Sequence, residues 1–248
     1  MDKKYTFDEF MNIIRTLRSE NGCPWDRKQT HESLKKYMIE ETYEVIDAVD
    51  RQDLSNLCEE LGDVLLQIAL HTAIAEEEKE FSIEDVIHGV SSKMIHRHPH
   101  VFGTAHAKDD NEVLKNWEEI KREEKKETTT SESILRIPRS LPANIRAEKV
   151  QKKALDVGYG HKDFNEVINH IEKSLYEIKQ SKEMGNMTQI NESYEKLLFL
   201  IVNLSGFLQL NAENSLTNAT NKFINRFVDI ERMSREKGRS LAELSGSE

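Results

Sequence analysis

Two neighbouring stretches of the 248-residue chain carry acids where a packed helix pair would carry leucine. They are Glu41 and Glu44 in EETYEVIDAV, and Glu60 and Asp63 in EELGDVLLQIAL. The i, i+3 spacing within each pair puts both side chains on one face of an α-helix. The first stripe, Tyr37, Glu41, Glu44 and Ala48, has 4-3-4 spacing, and the second, Asn56, Glu60, Asp63, Gln67 and Leu70, has 4-3-4-3 spacing. Apolar stripes border both: Met38, Val45 and Val49 on the first, Leu57, Leu61, Val64, Leu65 and Ile68 on the second. The acids are therefore expected at or beside the inward face of a helix pair. Four carboxylates gathered there are too costly without a compensating cation. The pattern predicts helices that hold metal and do chemistry.

With only 10 Gly and 4 Pro, long uninterrupted helices are expected rather than many turns, which gives an all-α fold class. Thr6-Phe7-Asp8-Glu9 reads as a capping box opening a helix to about Glu20, broken by Asn21-Gly22-Cys23-Pro24. A second helix is expected from about Thr30 to Val49, and a third, capped by Asp53, to about Glu78. Ser82 with Asp85 caps a fourth, which Pro99 and Gly103 end in HRHPHVFG. A charged fifth stretch runs from about Asn111 to Glu127. The polar run Thr128 to Ser133, followed by Ile137-Pro138-Arg139-Ser140-Leu141-Pro142, is the candidate linker. Helical patterns follow at 142–156, 163–184, 187–211 and 213–236, with Asp163 and Glu166 as a further capping box. The tail from Lys237 is expected to fray. The organisation read from this is a first domain over 1–127, a linker over 128–141 and a second domain over 142–248.

The two halves resemble each other. Glu41 and Glu60 shifted by 133 positions land on Ser174 and Ser193, in segments of the same apolar phasing. Lys93 and Arg97 in SSKMIHRH recur as Lys222 and Arg226 in TNKFINRF, at an offset of 129. We read a helical unit duplicated once. The second copy has lost the acids: Ser174, Glu177, Ser193 and Lys196 stand at the positions of Glu41, Glu44, Glu60 and Asp63. It is not expected to hold the same metal cluster.

Four carboxylates without histidine form a hard, all-oxygen site suited to Mg²⁺, or to Mn²⁺, rather than zinc. Glu44 and Asp63 stand where di-iron bundles place a His. Such a cluster can clamp a phosphoryl group and activate water. The alternative is a solvated acidic face. Adjacent Glu40 and Glu59 point about 100° away from the cluster members and are read as outer or surface residues. Lys93 and Arg97, at i, i+4, can contact phosphates, although spacing alone favours a surface pair near a helix C-terminus. His96, His98 and His100 lack the partners and spacing of a common zinc motif and are read as structural or surface residues. Trp25 either stacks on a base or packs against the nearest helices. Lys35, Lys36 and the run Glu118 to Glu127 are read as solvated.

These residues resemble the MazG family of all-α nucleoside triphosphate pyrophosphohydrolases. The resemblance rests on NGCPWD (21–26), Gln29-Thr30, EETYEV (40–45), ELGD (60–63), RHPHVF (97–102), Trp117-Glu118 with Ile120-Lys121, and IPRSLPA (137–143). The second half matches more loosely, through Arg146-Ala147, Gln151-Lys152, Val157-Gly158 and NKFINRF. The resemblance implies two tandem MazG-like helical-bundle domains and a homodimer. It implies Mg²⁺-dependent hydrolysis of a nucleoside triphosphate to the monophosphate and diphosphate, with water attacking the α-phosphorus. Carried over, Glu41, Glu44, Glu60 and Asp63 are the metal ligands and catalytic set, and Lys93 and Arg97 match the family's phosphate contacts. Lys222, Arg226 and Asn203 resemble a remnant nucleotide pocket in the second copy. Two other readings stay open: a regulatory protein that binds nucleotide with weak or no turnover, and a helical scaffold.

The formal net charge of −10 argues against a general nucleic-acid binder, which needs a basic stripe. MDKKYTFDEF lacks the apolar core of a signal peptide, and no apolar run approaches the roughly 20 residues of a membrane span. Cys23 and Cys58 are the only cysteines and form no CxxC pair. A cytoplasmic location is the expectation.

Overall fold

The computed structural model describes residues 3–237. The tail expected to fray from Lys237, and with it the end of the 142–248 domain, falls on residues 238–248, outside the described ones. Among the described residues there are twelve helices and no strand, so the all-α expectation is met. None of these helices is long and apolar enough to cross a membrane. The chain divides into two units between Ile120 and Lys121.

Unit 1 begins with α1 (Phe7–Arg18), opened by the capping box of Thr6 and Glu9. The break after it is tight. A Cβ on Gly22 would collide with the carbonyls of Thr16 and Leu17, so glycine is required there. Pro24 does not merely end α1. It occupies the first turn of a short helix, α2 (Pro24–Arg27), where its missing N–H costs nothing. Next come α3 (His31–Asp50) and α4 (Leu54–Glu78), capped by Thr30 and Asp53. Only three residues join them, with Gln52 in the left-handed region at φ 58°. So short a link folds α3 back on α4 as a helical hairpin, the most extensive packing in the unit.

The core of unit 1 gathers Met11 and Ile14 of α1, Leu34 of α3, and Ala69, Leu70, Ala73 and Ile74 of α4. Ile83 joins it from α5 (Ile83–Arg97), whose capping box of Ser82 and Asp85 forms as expected. Two arginines fasten α1 to the end of α4. Arg15 pairs with Glu76 through two bonds of 2.8 Å, and Arg18 pairs with Glu77 through two more of 2.8 Å. The Arg18 side chain is buried and also donates to the carbonyls of Asp26, at 2.5 Å, and Gln29, at 3.3 Å. Pro99 ends α5 and opens the short α6 (Pro99–Phe102). The charged α7 (Asp110–Glu124) follows, and the division between units falls within it.

Unit 2 contains α8 (Thr130–Leu135), a short helix inside the polar segment 128–141, where Thr129 and Glu132 form a capping box. Then come α9 (Ala143–Leu155), α10 (Phe164–Glu183), α11 (Met187–Phe207) and α12 (Ala212–Lys237). Helices α10 and α11 pack as a second hairpin, joined through Gly185 at φ 69°. Only half of the expected box opens α10. Asp163 accepts from the Glu166 N–H, but the Glu166 carboxylate accepts from Lys162 instead of Asp163.

Candidate metal centre

The α3–α4 hairpin brings the acids together. Glu41, Glu60 and Asp63 each offer a carboxylate oxygen, and these oxygens lie within 4.8 Å of one another. Glu44 lies close enough for its charge to act on both Glu41 and Glu60. Helical spacing explains the convergence, since each pair stands on one stripe and the hairpin faces the stripes together.

The cluster is less buried than the sequence pattern implies. Glu41, Glu60 and Asp63 are half-buried and Glu44 is exposed. Three residues of the bordering apolar stripes, Val49, Leu61 and Leu65, are themselves exposed. The core draws on α1 and the distal half of α4, so the acid-bearing half of the hairpin packs on one side only. The cost of gathering the acids is consequently one of mutual repulsion as well as of lost hydration. Withdrawal from water, then the charges of Asp63, Glu44 and Glu60, hold the Glu41 carboxyl above the usual range. Withdrawal from water and the charge of Glu44 do the same to Glu60.

The donor set fits a hard divalent cation. It is all oxygen, and the acids raise one another's carboxyls above the ordinary range, a repulsion that a bound cation would offset. One turn beyond Asp63 on the same stripe, Gln67 is buried and its Oε1 has no hydrogen-bond partner. An orphaned acceptor costs about 1–3 kcal/mol, so a donor or cation at this end of the site would relieve it.

Trp25 packs its edge on Tyr37, with ring centroids 5.9 Å apart, and leaves half of its surface exposed. Tyr37 stands one turn before Glu41, so the indole lies at one end of the acidic stripe. Lys36, read from sequence as solvated, has its ammonium 4.4 Å from the Tyr37 ring centroid. The periodicity of Tyr37 with Glu41 carried that signal, but spacing says nothing of a cation turned back onto the ring.

Lys93 and Arg97 stand on the C-terminal half of α5. Ile83 anchors the start of α5 in the core, and the rise of a helix carries Lys93 and Arg97 about 15 and 21 Å further along its axis. Lys93 is exposed, whereas Arg97 lies over the Trp117 ring at 5.3 Å. His98 meets the same ring edge-on at 5.0 Å and has its Nδ1 2.6 Å from the Met94 carbonyl, a structural role as expected.

In unit 2 two of the four positions equivalent to the acids are closed, while Glu177 is half-buried and Lys196 exposed. Ser174 and Ser193 are buried, where the small hydroxyls let the helices approach. Ser174 donates to the His170 carbonyl, and Ser193 to the surviving acid Glu177 at 3.4 Å, while Lys173 lies 3.9 Å from the same carboxylate. Asn203 lines a cleft of about 370 Å³ together with Gln151, Lys152 and Phe207, and its buried Oδ1 is unpartnered. Lys222 and Arg226 are exposed on α12 and do not line this cleft.

Fold and site together define an all-α bundle protein with a carboxylate centre suited to a divalent metal. Sequence comparison places it further. Residues 29–102, which span both acid pairs, match the MazG nucleotide pyrophosphohydrolase domain. The nucleoside triphosphate pyrophosphohydrolase/pyrophosphatase MazG of Thermotoga maritima is 44% identical over 238 residues, covering 96% of this chain and 90% of that protein. The nucleoside triphosphate pyrophosphohydrolase of Escherichia coli K12 is 39% identical, over 93% of this chain and 89% of its own length. YabN of Bacillus subtilis is 45% identical over 97% of this chain, which spans only 49% of YabN. The chain belongs to the MazG nucleotide pyrophosphohydrolase family.

Proposed function

We propose that this protein hydrolyses nucleoside triphosphates to the monophosphate and diphosphate at the acid cluster of unit 1. The observation that carries the reading is the convergence of Glu41, Glu60 and Asp63, with the charge of Glu44 beside them, against the closed serine positions of unit 2. The names of the T. maritima and E. coli relatives support the same reaction. Glu41, Glu44, Glu60 and Asp63 would hold Mg²⁺, or Mn²⁺ in its place. When bound, that cation supplies charge neutralisation of the phosphates and acidification of water. The water oxygen bonds to the α-phosphorus as the bond to the bridging oxygen of the β-phosphate breaks, so diphosphate leaves with the electron pair. A cluster carboxylate takes the water's proton. Lys93 and Arg97 act on the phosphate tail, with the Trp117 ring supporting Arg97, and the exposed face of Trp25 offers a stacking surface for the base.

Hydrolysis in ¹⁸O-labelled water tests the direction of attack. The label is expected in the monophosphate alone. Label in diphosphate, or release of inorganic phosphate with a nucleoside diphosphate, would contradict it.

Unit 1 is read as the active copy and unit 2 as the degenerate one. Nucleotide binding without turnover is a second reading for unit 2 alone, favoured by the cleft and the unpaired Asn203 acceptor. We also propose a homodimer. Ile39, Tyr43 and Ile46 form an apolar stripe on α3 and are 58%, 52% and 45% exposed, which suits burial against a second copy. Sedimentation velocity at micromolar concentration should give a dimer, and Tyr43→Arg should shift it toward monomer. A monomeric wild type would overturn this assignment.

A further inference from the structure

Unit 2 carries a second group of metal-ligating side chains, different in chemistry from the acids of unit 1. His161, in the loop between α9 and α10, Glu166 in the first turn of α10, and His170 one turn further on each offer a ligand atom, and these atoms lie within 4.8 Å of one another. All three side chains are half-buried, so they are held in place and still reachable from solvent.

Local structure aims each of them. Gly158 and Gly160, at φ 79° and 129°, let the loop reverse, and Asp163 caps α10 immediately afterwards, which returns His161 to the start of the helix. One oxygen of Glu166 accepts the Lys162 N–H at 3.1 Å. The other, Oε1, lies 3.3 Å from His161 Nδ1. Glu166 and His170 are at i, i+4 and share a helix face. His170 Nδ1 is 2.9 Å from the Glu166 carbonyl. A carbonyl can only accept, so Nδ1 carries the proton and Nε2 keeps its lone pair for a ligand. The two imidazole rings lie with centroids 4.5 Å apart. Helix capping accounts for Asp163 and Glu166, but not for two imidazoles converging on one carboxylate.

We propose that His161, Glu166 and His170 bind a divalent transition-metal ion of the Zn²⁺ type, with water completing the coordination. The two imidazoles, borderline donors beside one hard carboxylate, select such an ion over Mg²⁺. Ligands of a tetrahedral zinc ion at about 2.0–2.1 Å stand about 3.3–3.4 Å from each other, which is the separation already present between Glu166 Oε1 and His161 Nδ1. The ion takes the place of the proton between those two atoms, and rotation of the His170 ring closes the third side. The ion staples the loop before α10 to the first two turns of the helix. The site is independent of the hydrolysis proposed for unit 1.

Co²⁺ serves as the spectroscopic probe, titrated into the full-length chain with Mg²⁺ in large excess to saturate the acid cluster. The chain should take up Co²⁺ with visible d–d absorption that Zn²⁺ bleaches. His161→Ala and His170→Gln should each weaken uptake by at least about tenfold, with helicity checked by circular dichroism. Glu60→Gln should leave it unchanged while altering hydrolysis, which separates the two sites. His161 lies outside the helix, so its variant decides the matter if His170→Gln fails to fold. Unaltered Co²⁺ spectra and affinity in His161→Ala, or no uptake in the presence of Mg²⁺, would overturn the proposal.

Discussion

At the scale of single residues, the acid cluster works against the stability of the metal-free fold. Glu41 and Glu60 are held above the ordinary carboxylate range by lost hydration and by their acidic neighbours. A raised acid holds its proton more tightly folded than unfolded. Metal-free protein therefore loses stability as pH rises from the ordinary carboxylate value through the raised one. Glu41→Gln combined with Glu60→Gln should flatten that loss and raise the unfolding midpoint in chelator at neutral pH. A divalent cation should raise the midpoint of wild type but much less that of the double variant. Calorimetry over pH reads both effects, and a double variant less stable than wild type in chelator would contradict the origin given for the shifts. The glutamate that pairs with Arg15 works in the opposite sense. The Arg15 hydrogen bond holds Glu76 below the ordinary range, so its contribution is present above the unfolded value and lost as pH falls through the lowered one.

At the scale of elements, α1 is fastened to α4 by two arginines of unequal weight. Arg18 is buried, makes a bidentate pair with Glu77 and donates to the carbonyls of Asp26 and Gln29, whereas Arg15 is 41% exposed. Arg18→Met should cost about 2–3 kcal/mol, because it removes the bidentate pair with Glu77 and the Arg18 bond to the Gln29 carbonyl, and Arg15→Ala no more than about 1 kcal/mol. Urea denaturation measures both, and equal losses would contradict the ranking. The elements themselves were legible in the sequence wherever a local rule fixes them. The boxes at Thr6 and Ser82 and the cap at Asp53 depend on residues three apart, and all three form. The short helix α8 follows the same rule through Thr129 and Glu132, although its polar composition reads as linker. Burial was less legible. Val49, Leu61 and Leu65 stand on apolar stripes, yet periodicity cannot say whether a third element covers them, and they remain exposed. Ring contacts such as Arg97 over Trp117 join residues twenty apart on different helices, and no spacing rule reaches that far.

At the scale of the whole molecule, the chain repeats a helical hairpin and keeps the acids in only one copy. The comparison of Glu41 and Glu60 with Ser174 and Ser193 was available from sequence. That both serines are buried, and that Ser193 and Lys173 engage the surviving Glu177, required the structure. The His161, Glu166 and His170 group was hidden for a related reason: the spacing reads as a helix cap until the loop glycines return His161 to α10. Turnover is assigned to the acids of unit 1. Diphosphate release from a panel of nucleoside triphosphates with Mg²⁺ tests that assignment most directly, comparing the full chain with Glu41→Gln and Glu60→Gln. Each substitution should lower turnover by at least about a hundredfold with helicity retained, the scale of losing one group that stabilises the transition state. Turnover unchanged in both variants would contradict the assignment.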